Sequence, residues 1–234
     1  MKKKKLVVLT GAGVSAESGI STFRDSGGLW DQYRVEDVAT PEGYQRDPKL
    51  VLEFYNIRRK ELLTTQPNDA HRLLALLEKE YDVTIITQNI DDLHERAGSK
   101  HIVHLHGELL KGCSSNNPSN PKYIKTLTSD IQLGDLAGDG SQLRPFIVWF
   151  GEAVPEIETA VTYAQEADLF LVIGTSLNVY PAAGLLHYVK KSTPIYLIDP
   201  KPVNINIQQV TQITKKATEG MKDFIEILKQ ESIS

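Results

Sequence analysis

The residues of this sequence that are best placed for chemistry begin with a glycine-rich turn. Gly11, Ala12, Gly13 and Ala16 form a G-x-G-x-x-A pattern directly after the apolar run of residues 6–10. In this pattern the first glycine permits a tight turn, the second lets the backbone approach a pyrophosphate, and the alanine lets helix and strand pack closely. The N-terminus of a following helix would add unpaired N–H groups and a positive dipole end. The pattern predicts a dinucleotide site, with a plain strand-to-helix turn as the alternative.

The chain that follows does not continue as it would in a hydride-transferring dehydrogenase. Such an enzyme would show a second strand that ends in Asp or Glu about 20 residues further on and holds the ribose. Residues 18–30 instead form a loop-like stretch with the aromatic Phe23, the cation Arg24 and several glycines. The dehydrogenase layout therefore fails at this point.

Polar and small residues follow two further apolar runs. They are Gln88, Asn89 and Asp91 after residues 83–87, and Gly174, Thr175 and Ser176 after residues 169–173. Because α/β sheets bind ligands at the carboxyl ends of their parallel strands, we expect both groups to face a ligand. Turn formation and helix capping are the alternative roles of the first group.

Two histidines, His104 and His106, lie in an extended segment whose alternation puts both side chains on one side. An imidazole with a pKa near ~6.5 suits proton exchange at neutral pH. Gly107 directly after His106 favours that histidine as the functional one, and a structural role is the alternative for either.

The elements that must position these residues are predicted from periodicity. Apolar runs at residues 6–10, 83–87, 146–149, 169–173 and 194–198 predict buried strands. The predicted helices run from Pro48, capped by Asp47, to about Leu63, from the cap Asn68 through Leu77, and near residues 155–166, 181–190 and 220–229. Strands that alternate with helices predict an α/β fold, with a Rossmann-like parallel sheet and helices on both faces.

Two stretches do not fit this alternation. Residues 35–80 insert a helical pair between the first two strands, and residues 113–143 are polar and rich in Gly, Asn, Ser and Pro. We expect one domain over residues 1–234, whose large Rossmann-like lobe comprises about 1–34, 81–112 and 144–234. The two insertions are predicted to form a small lobe over the mouth of the sheet.

The composition excludes several classes of partner. The 234 residues carry 26 Lys and Arg against 30 Asp and Glu, a net charge of −4, so no domain-wide basic surface for nucleic acid is expected. No apolar stretch reaches membrane-spanning length, and residues 6–9 are too few for a signal-peptide core. One cysteine cannot form an internal disulfide. The sequence predicts a cytoplasmic protein without nucleic-acid or membrane partners, and leaves the oligomeric state open.

Five segments, taken in order, resemble the signatures of the sirtuin family. Residues 11–25 resemble its nucleotide-binding signature, residues 87–94 its second signature, residues 105–107 its catalytic-histidine motif, residues 148–152 its substrate-binding segment, and residues 174–183 its ribose and phosphate motif. The resemblance runs from residue 6 to about residue 200. It implies an NAD-dependent protein-lysine deacylase that transfers the acyl group of an acylated lysine to ADP-ribose and releases nicotinamide.

The resemblance assigns roles to individual residues. It implies His106 as the general base on the ribose hydroxyls and Asn89 as the second catalytic residue, which contacts the nicotinamide moiety together with Asp91. The implied cofactor-binding residues are Gly11, Ala12, Gly13, Ala16, Phe23, Arg24, Gln88, Asn89, Asp91, Gly174, Thr175, Ser176, Asp199 and Ala217. Phe23 and Arg24 would cover the cofactor and contact its phosphate or the reacting ribose.

Two members of this set depart from the family pattern. Asp199 stands where the family commonly carries Asn towards the adenosine ribose, and Ala217 lacks the glycine that precedes the family's adenine contact.

The acylated peptide would be held by strand addition to a sheet edge. The residues implied for this role are Val148, Trp149, Phe150 and Gly151.

Tyr55 and Arg58 are three residues apart in a predicted helix, so both side chains project from one face. This Y-x-x-R pattern resembles that of sirtuins that prefer acidic acyl groups, since a guanidinium and a phenol hydroxyl can bind a carboxylate together. It implies desuccinylation or demalonylation beside deacetylation. An amphipathic helix with Arg58 and Arg59 in solvent is the alternative.

Most sirtuins hold a structural zinc ion with two cysteine pairs. Here Cys113 matches one ligand position, Asn116 stands where its partner belongs, and no second pair precedes Pro145. With three of the four thiolates absent, we predict no zinc or other metal, and expect residues 113–143 to be held by packing alone.

The sequence also allows other functions. A non-catalytic module that binds NAD or ADP-ribose would use the same glycine-rich turn. A mono-ADP-ribosyltransferase or an NAD hydrolase would cleave the same cofactor without an acyl group, and a dehydrogenase is a more distant alternative.

Overall fold

The computed structural model describes residues 2–21, 32–177, 179–203 and 210–231. Its strands are β1 (Lys5–Thr10), β2 (Asp82–Thr87), β3 (Ile102–His104), β4 (Gly107–Ser114), β5 (Lys125–Thr126), β6 (Leu143–Ile147), β7 (Leu169–Ile173), β8 (Ile195–Ile198) and β9 (Val210–Ile213). The main sheet is parallel throughout, in the order β3-β2-β1-β7-β8-β9. The chain winds outwards on both sides of β1, which is the doubly wound arrangement. The predicted α/β fold is confirmed.

The helices are α1 (Gly13–Ala16), α2 (Val35–Val38), α3 (Pro41–Arg46), α4 (Pro48–Thr64), α5 (Asp69–Leu77), α6 (Leu93–Ala97), α7 (Ile157–Glu166) and α8 (Ala217–Glu231), with 3-10 helices at Pro121–Tyr123 and Ala182–Tyr188. None of the helices within the described residues is long and apolar enough to cross a membrane.

Two helix starts follow the capping signals of the sequence. The Asp47 carboxylate accepts from the Leu50 N–H at 3.0 Å at the start of α4, and the Asn68 side chain accepts from the Ala70 N–H at 2.9 Å at the start of α5. Both contacts satisfy N–H groups that the first helical turn leaves unpaired. The helix predicted at 181–190 is instead the shorter 3-10 helix, and α8 begins three residues before its predicted start.

The central strands β1, β2 and β7 end level with one another. Thr10 lies opposite Thr87 on one side and opposite Ile173 on the other. These strands are buried on both faces, which explains their continuous apolar runs. The residues that follow each strand therefore emerge together at one edge of the sheet.

Helices cover both faces of the main sheet. On one face, Leu74 of α5 and Phe224 of α8 pack in a cluster with β1, β2 and β7. On the other face, Ala160 of α7 and Leu185 of the 3-10 helix pack against the same strands. This arrangement places the apolar stripe of α5 on the main sheet, although α5 lies within the insertion predicted at 35–80.

A second, antiparallel sheet has the order β5-β4-β6. The prediction that residues 146–149 form a strand of the parallel sheet is wrong. The strand spans Leu143–Ile147 and pairs with β4, because an apolar run alone does not specify which partner a strand will find. Phe54, Tyr55 and Trp149 pack in the core between α4 and this sheet.

The division into two lobes stays a prediction. Residues 35–80 contain four helices rather than a pair, and they divide their packing between the two sheets.

Candidate active site

A cavity of about 1080 Å³ lies at the carboxyl ends of the main-sheet strands, between them and the second sheet. The described residues that were predicted for the site all line it: Gly11, Ala12, Gly13, Ala16, Tyr55, Arg58, Gln88, Asn89, Asp91, His106, Val148, Trp149, Phe150, Gly151, Gly174, Thr175, Ser176, Asp199 and Ala217. Phe23 and Arg24 lie outside the described residues. Residues from eight separate stretches of the chain are thus brought to one space.

Two glycine loops meet at the floor of this cavity. The Gly13 N–H donates to the Gly174 carbonyl at 2.8 Å. A Cβ added to Gly13 would lie 2.7 Å from the Gly174 Cα, and Gly174 itself has a positive φ of 66°. Glycine is required at both positions, because any side chain would separate the loops.

The expectation of unpaired N–H groups at the start of α1 is wrong for three residues. The N–H groups of Gly13, Val14 and Ser15 donate to the carbonyl groups of Gly174, Gly11 and Ala12. The helix has only four residues, so its first turn closes on the preceding loop. The glycines thus bring the two loops together, and the small residues around them leave the cavity open.

Ser15 forms the centre of a buried polar network. Its hydroxyl donates to the Asp91 carboxylate at 3.0 Å and accepts from the Asn89 side-chain amide at 3.1 Å. The His71 Nε2 atom lies 3.4 Å from the same oxygen. The His71 Nδ1 atom accepts from the Asn68 N–H, so the proton of the neutral ring is on Nε2 and points at Ser15. One hydroxyl therefore fixes the positions of both Asn89 and Asp91.

The histidines beneath this network are held neutral. Burial lowers the pKa of His71 to about 4, and Arg72 and Arg96 act in the same direction. Burial also lowers the pKa of His94, whose ring packs against His71 with centroids 4.8 Å apart. Burial raises the pKa of the Asp91 carboxyl. The floor of the site is thus a desolvated polar layer in which charge is costly.

His106 is oriented by a backbone carbonyl. Its Nδ1 atom lies 2.9 Å from the Gln88 carbonyl oxygen, which can only accept, so Nδ1 carries the proton and Nε2 carries the lone pair. Burial lowers the pKa of the ring, so the neutral form predominates at pH 7. Gly107 has a φ of 81° and packs directly against the backbone of Phe146, which explains glycine at this position.

His104 is the last residue of β3, whereas His106 lies in the turn before β4, so the two histidines do not share one extended segment and their environments differ. Its Nε2 atom lies 2.6 Å from the Glu95 carboxylate, and although burial acts the other way, Glu95 raises the pKa of His104. His104 is not among the residues that line the cavity. Its Nδ1 atom lies 3.4 Å from the Asn89 carbonyl oxygen, so His104 contacts the backbone of a residue that lines the cavity.

Tyr55 and Arg58 of α4 line the opposite part of the cavity. The Tyr55 hydroxyl accepts from the Trp149 indole N–H at 3.1 Å, and burial raises the pKa of Tyr55 to about 12. Burial lowers the pKa of Arg58, and Tyr55, Glu61 and Asp91 oppose this shift. The Arg58 guanidinium is thus a partly desolvated cation inside the cavity, which contradicts the alternative of a solvent-exposed arginine.

The segment after β6 has its N–H groups engaged within the chain. Val148 donates to the His106 carbonyl, Phe150 to the Ala39 carbonyl, and Trp149 to the Glu152 carboxylate. An added peptide strand would therefore have to pair with the carbonyl groups of Val148, Trp149 and Phe150 and with the backbone of Gly151. Within the described residues β6 is an edge strand of the second sheet, which is the position that strand addition requires.

Asp199 and Ala217 lie at the far end of the cavity. Asp199 is 8% exposed, and its carboxylate accepts from the Lys201 N–H at 3.0 Å. Two lysines, Lys201 and Lys216, line the cavity beside it. This end therefore offers an acidic acceptor within a basic rim.

The region around Cys113 is held by a polar network, which corrects the expectation of packing alone. The Ser114 hydroxyl donates to the Asp139 carboxylate at 2.6 Å and accepts from the Asn117 N–H at 2.8 Å. Ser141 donates to the same carboxylate at 2.7 Å. The Asn117 side-chain amide also donates to it at 2.9 Å. These hydrogen bonds from Ser114, Asn117 and Ser141 lower the pKa of Asp139, with Ser114 the largest contributor. Cys113 itself is buried beside the Pro145 carbonyl.

Four residues of the site region have no role that the sequence predicts: Ser15, His71, His94 and Arg144. His71 stands three residues after the cap Asn68, the capping-box position, which could have marked it as a side chain that turns back towards the loop. The Arg144 guanidinium lies 3.5 Å from the Trp149 ring centroid and pairs with Glu152 at 2.8 Å. Nothing in the local sequence marks this contact.

Comparison with known proteins gives a consistent result. Residues 11–181 match the model of the Sir2 family. A Bacteroides thetaiotaomicron protein named NAD-dependent protein deacylase is 66% identical over 229 residues, which cover 96% of this chain and 98% of that protein. A Helicobacter pylori protein of the same name is 52% identical over 223 residues, which cover 95% and 96% of the two chains.

Solved structures agree with these relatives. A Sir2 homolog in complex with NAD gives a TM-score of 0.85 at 39% identity and covers 98% of this chain and 91% of that chain. A mutant Sir2 homologue in complex with ADP-ribose gives a TM-score of 0.86 at 39% identity and covers 99% and 95%.

Proposed function

The chain belongs to the Sir2 family, and from this premise we propose that it is an NAD-dependent protein-lysine deacylase that removes succinyl and malonyl groups as well as acetyl groups. The observation that carries the proposal is that one cavity is lined by the neutral base His106, by Asn89 and Asp91, and by the cation Arg58 with Tyr55. The names of the two relatives reported above give the activity as NAD-dependent protein deacylase and do not specify the acyl group.

The cavity fits NAD in its size and in the chemistry of its lining. Small residues of the two glycine loops leave room for phosphates, and Asp199 can accept from ribose hydroxyls at the far end. When bound, NAD supplies the ADP-ribose acceptor and nicotinamide as the leaving group. The proposed reaction consumes one water molecule and yields nicotinamide, O-acyl-ADP-ribose and the free lysine.

His106 acts as the general base in this proposal. Its Nε2 lone pair accepts the proton of a ribose hydroxyl while Nδ1–H remains bonded to the Gln88 carbonyl. The Ser15 network supports this step by holding Asn89 and Asp91 beside it. The carboxamide and hydroxyl groups of a nicotinamide riboside present donors and acceptors that match these two side chains.

The acidic acyl group would be recognised at the opposite part of the cavity. A desolvated guanidinium is stabilised by an anion, so an acyl carboxylate beside Arg58 would recover the solvation that burial removes. Tyr55 stays protonated because of its raised pKa and can donate to the same carboxylate. An acetyl group is short enough to enter without either contact.

The test is a panel of acetyl, succinyl and malonyl lysine peptides with NAD. Arg58→Met should lower kcat/KM for the succinyl and malonyl peptides by about 100-fold, which is typical when one partner of a buried charge pair is removed, and should largely spare the acetyl peptide. Lys60→Met is the matched control, because it removes an exposed cation from the same helix.

Equal loss of all three activities in Arg58→Met would contradict the acyl-selecting role. Nicotinamide release by the unaltered protein without any acyl peptide, or no release with every peptide, would favour an NAD hydrolase or a binding module instead.

A further inference from the structure

We infer that Trp149 is a positioning residue for acyl selection: its indole N–H occupies a lone pair of the Tyr55 hydroxyl and so directs the phenol proton towards the carboxylate of an acidic acyl group. The inference rests on the proposed acidic-acyl activity and names what sets its specificity.

The direction of the hydrogen bond is fixed by chemistry. An indole nitrogen can only donate, so the Tyr55 oxygen is the acceptor in the 3.1 Å contact. Among the described residues, this is the only hydrogen bond of the Tyr55 hydroxyl. The phenol proton is therefore the group that remains for a ligand, and a buried donor gains most from a charged acceptor.

Both partners are buried and held in place. Tyr55 is 1% exposed and Trp149 is 2% exposed. The Arg144 guanidinium stacks on the indole with 3.5 Å between its central carbon and the ring centroid. The Glu152 carboxylate binds both Arg144, at 2.8 Å, and the Trp149 backbone N–H, at 2.8 Å. The indole N–H thus has a fixed direction before any substrate enters.

The ligand class follows from the arrangement. Tyr55, Trp149 and Arg58 line the same cavity, and the cation and the directed hydroxyl favour an acyl chain that ends in a carboxylate. A neutral chain of similar length, such as butyryl, offers no acceptor to the phenol proton. Trp149 should therefore affect the ratio of succinyl to butyryl activity, beyond any change in peptide binding that both substrates share.

The test compares kcat/KM for succinyl and butyryl peptides in Trp149→Phe, Tyr55→Phe and the double variant. Trp149→Phe keeps an aromatic ring and removes the N–H, so the succinyl-to-butyryl ratio should fall by about fivefold to tenfold, the effect of one hydrogen bond to a charged system. The double variant should lose no more selectivity than Tyr55→Phe alone, because the indole acts through the hydroxyl. Tyr188→Phe, which removes an exposed hydroxyl outside the cavity, is the control.

A second measurement does not depend on activity. The indole N–H resonance of Trp149 in a 15N-labelled sample should move upfield in Tyr55→Phe, because its acceptor has been removed, and should not move in Tyr188→Phe. An unchanged resonance would overturn the inference even if Trp149→Phe failed to fold.

The two levels of the proposal fail in different ways. Absence of desuccinylation in the unaltered protein would overturn the acidic-acyl function and this inference with it. Desuccinylation in the unaltered protein with an unchanged succinyl-to-butyryl ratio in Trp149→Phe would overturn the inference alone.

Discussion

At the residue scale, the protonation state of His106 is set by its neighbours. The Gln88 carbonyl keeps the proton on Nδ1, and burial disfavours the charged ring. The ring is thus a base at neutral pH, and no carboxylate of the described residues hydrogen-bonds to it. This differs from His104 two residues earlier, whose pKa is raised by Glu95.

A pH profile of kcat/KM tests this assignment. Because the neutral ring is the active form and its pKa is lowered, activity should be constant through pH 7 and should fall only below about pH 6.5, the pKa of an unperturbed histidine. His106→Ala should abolish deacylation. An acid limb above pH 7 would show that the titrating group has a raised pKa, as His104 does.

At the element scale, the loop after β1 and the loop after β7 act as one unit. Gly13 and Gly174 permit their backbones to touch, and residues of both loops line the cavity. Because β1 and β7 are adjacent strands, the loops that follow them bring Ala12 and Thr175 to one wall of the cavity.

Gly174→Ala should disrupt this unit. Its Cβ would overlap the backbone of Val14 and Gly13, which adds to the strain of a positive φ. Gly134→Ala is the matched control, since Gly134 also has a positive φ but nothing within 4 Å of the added Cβ. Urea unfolding should show that Gly174→Ala costs about 1–3 kcal/mol more than the control, the usual effect of overpacking. NAD affinity, measured by calorimetry, should fall in Gly174→Ala alone. Equal losses in the two variants would show that strain, not loop contact, matters.

The elements differ in how far the sequence could predict them. The strands β1, β2 and β7 could be predicted from their apolar runs, because strands buried on both faces need continuous apolar residues. The caps Asp47 and Asn68 are local signals and gave correct helix starts. By contrast, β9 has two exposed polar residues and gave no signal, and the partner of β6 depends on pairing across the chain.

The same limit applies to the site. Tyr55 and Arg58 share a helix face, which the sequence shows, but the Trp149 contact with Tyr55 joins residues 94 positions apart. Ser15 lies inside the glycine-rich pattern, yet its role depends on His71 of α5 and on Asn89 and Asp91 of the loop after β2. Contacts of this kind arise from the topology, not from local spacing.

At the scale of the whole molecule, the second sheet must keep Trp149 and Tyr55 in place above the main sheet. In this sheet, the end of β4 is joined to the chain that precedes β6, because Ser114 and Ser141 both donate hydrogen bonds to the Asp139 carboxylate. The absence of zinc stays a prediction, and this network is the feature that would make a metal unnecessary.

Chelation and substitution should separate the two possibilities. Treatment with EDTA should change neither the unfolding midpoint nor the activity, and elemental analysis should find no stoichiometric zinc. Ser114→Ala should cost about 1–3 kcal/mol, because the serine is buried and its partners lose their hydrogen bonds. Ser119→Ala, at an exposed position nearby, should have little effect. One equivalent of zinc, or loss of stability on chelation, would contradict the prediction.

In the proposed reaction, one cavity transfers an acyl group from lysine to ADP-ribose. Mass spectrometry of a single turnover with NAD and a succinyl-lysine peptide can detect this transfer. We expect O-succinyl-ADP-ribose in equal amount to the nicotinamide released, and neither product in His106→Ala. Free succinate with unmodified ADP-ribose from the first turnover, or nicotinamide release that ignores the peptide, would contradict it.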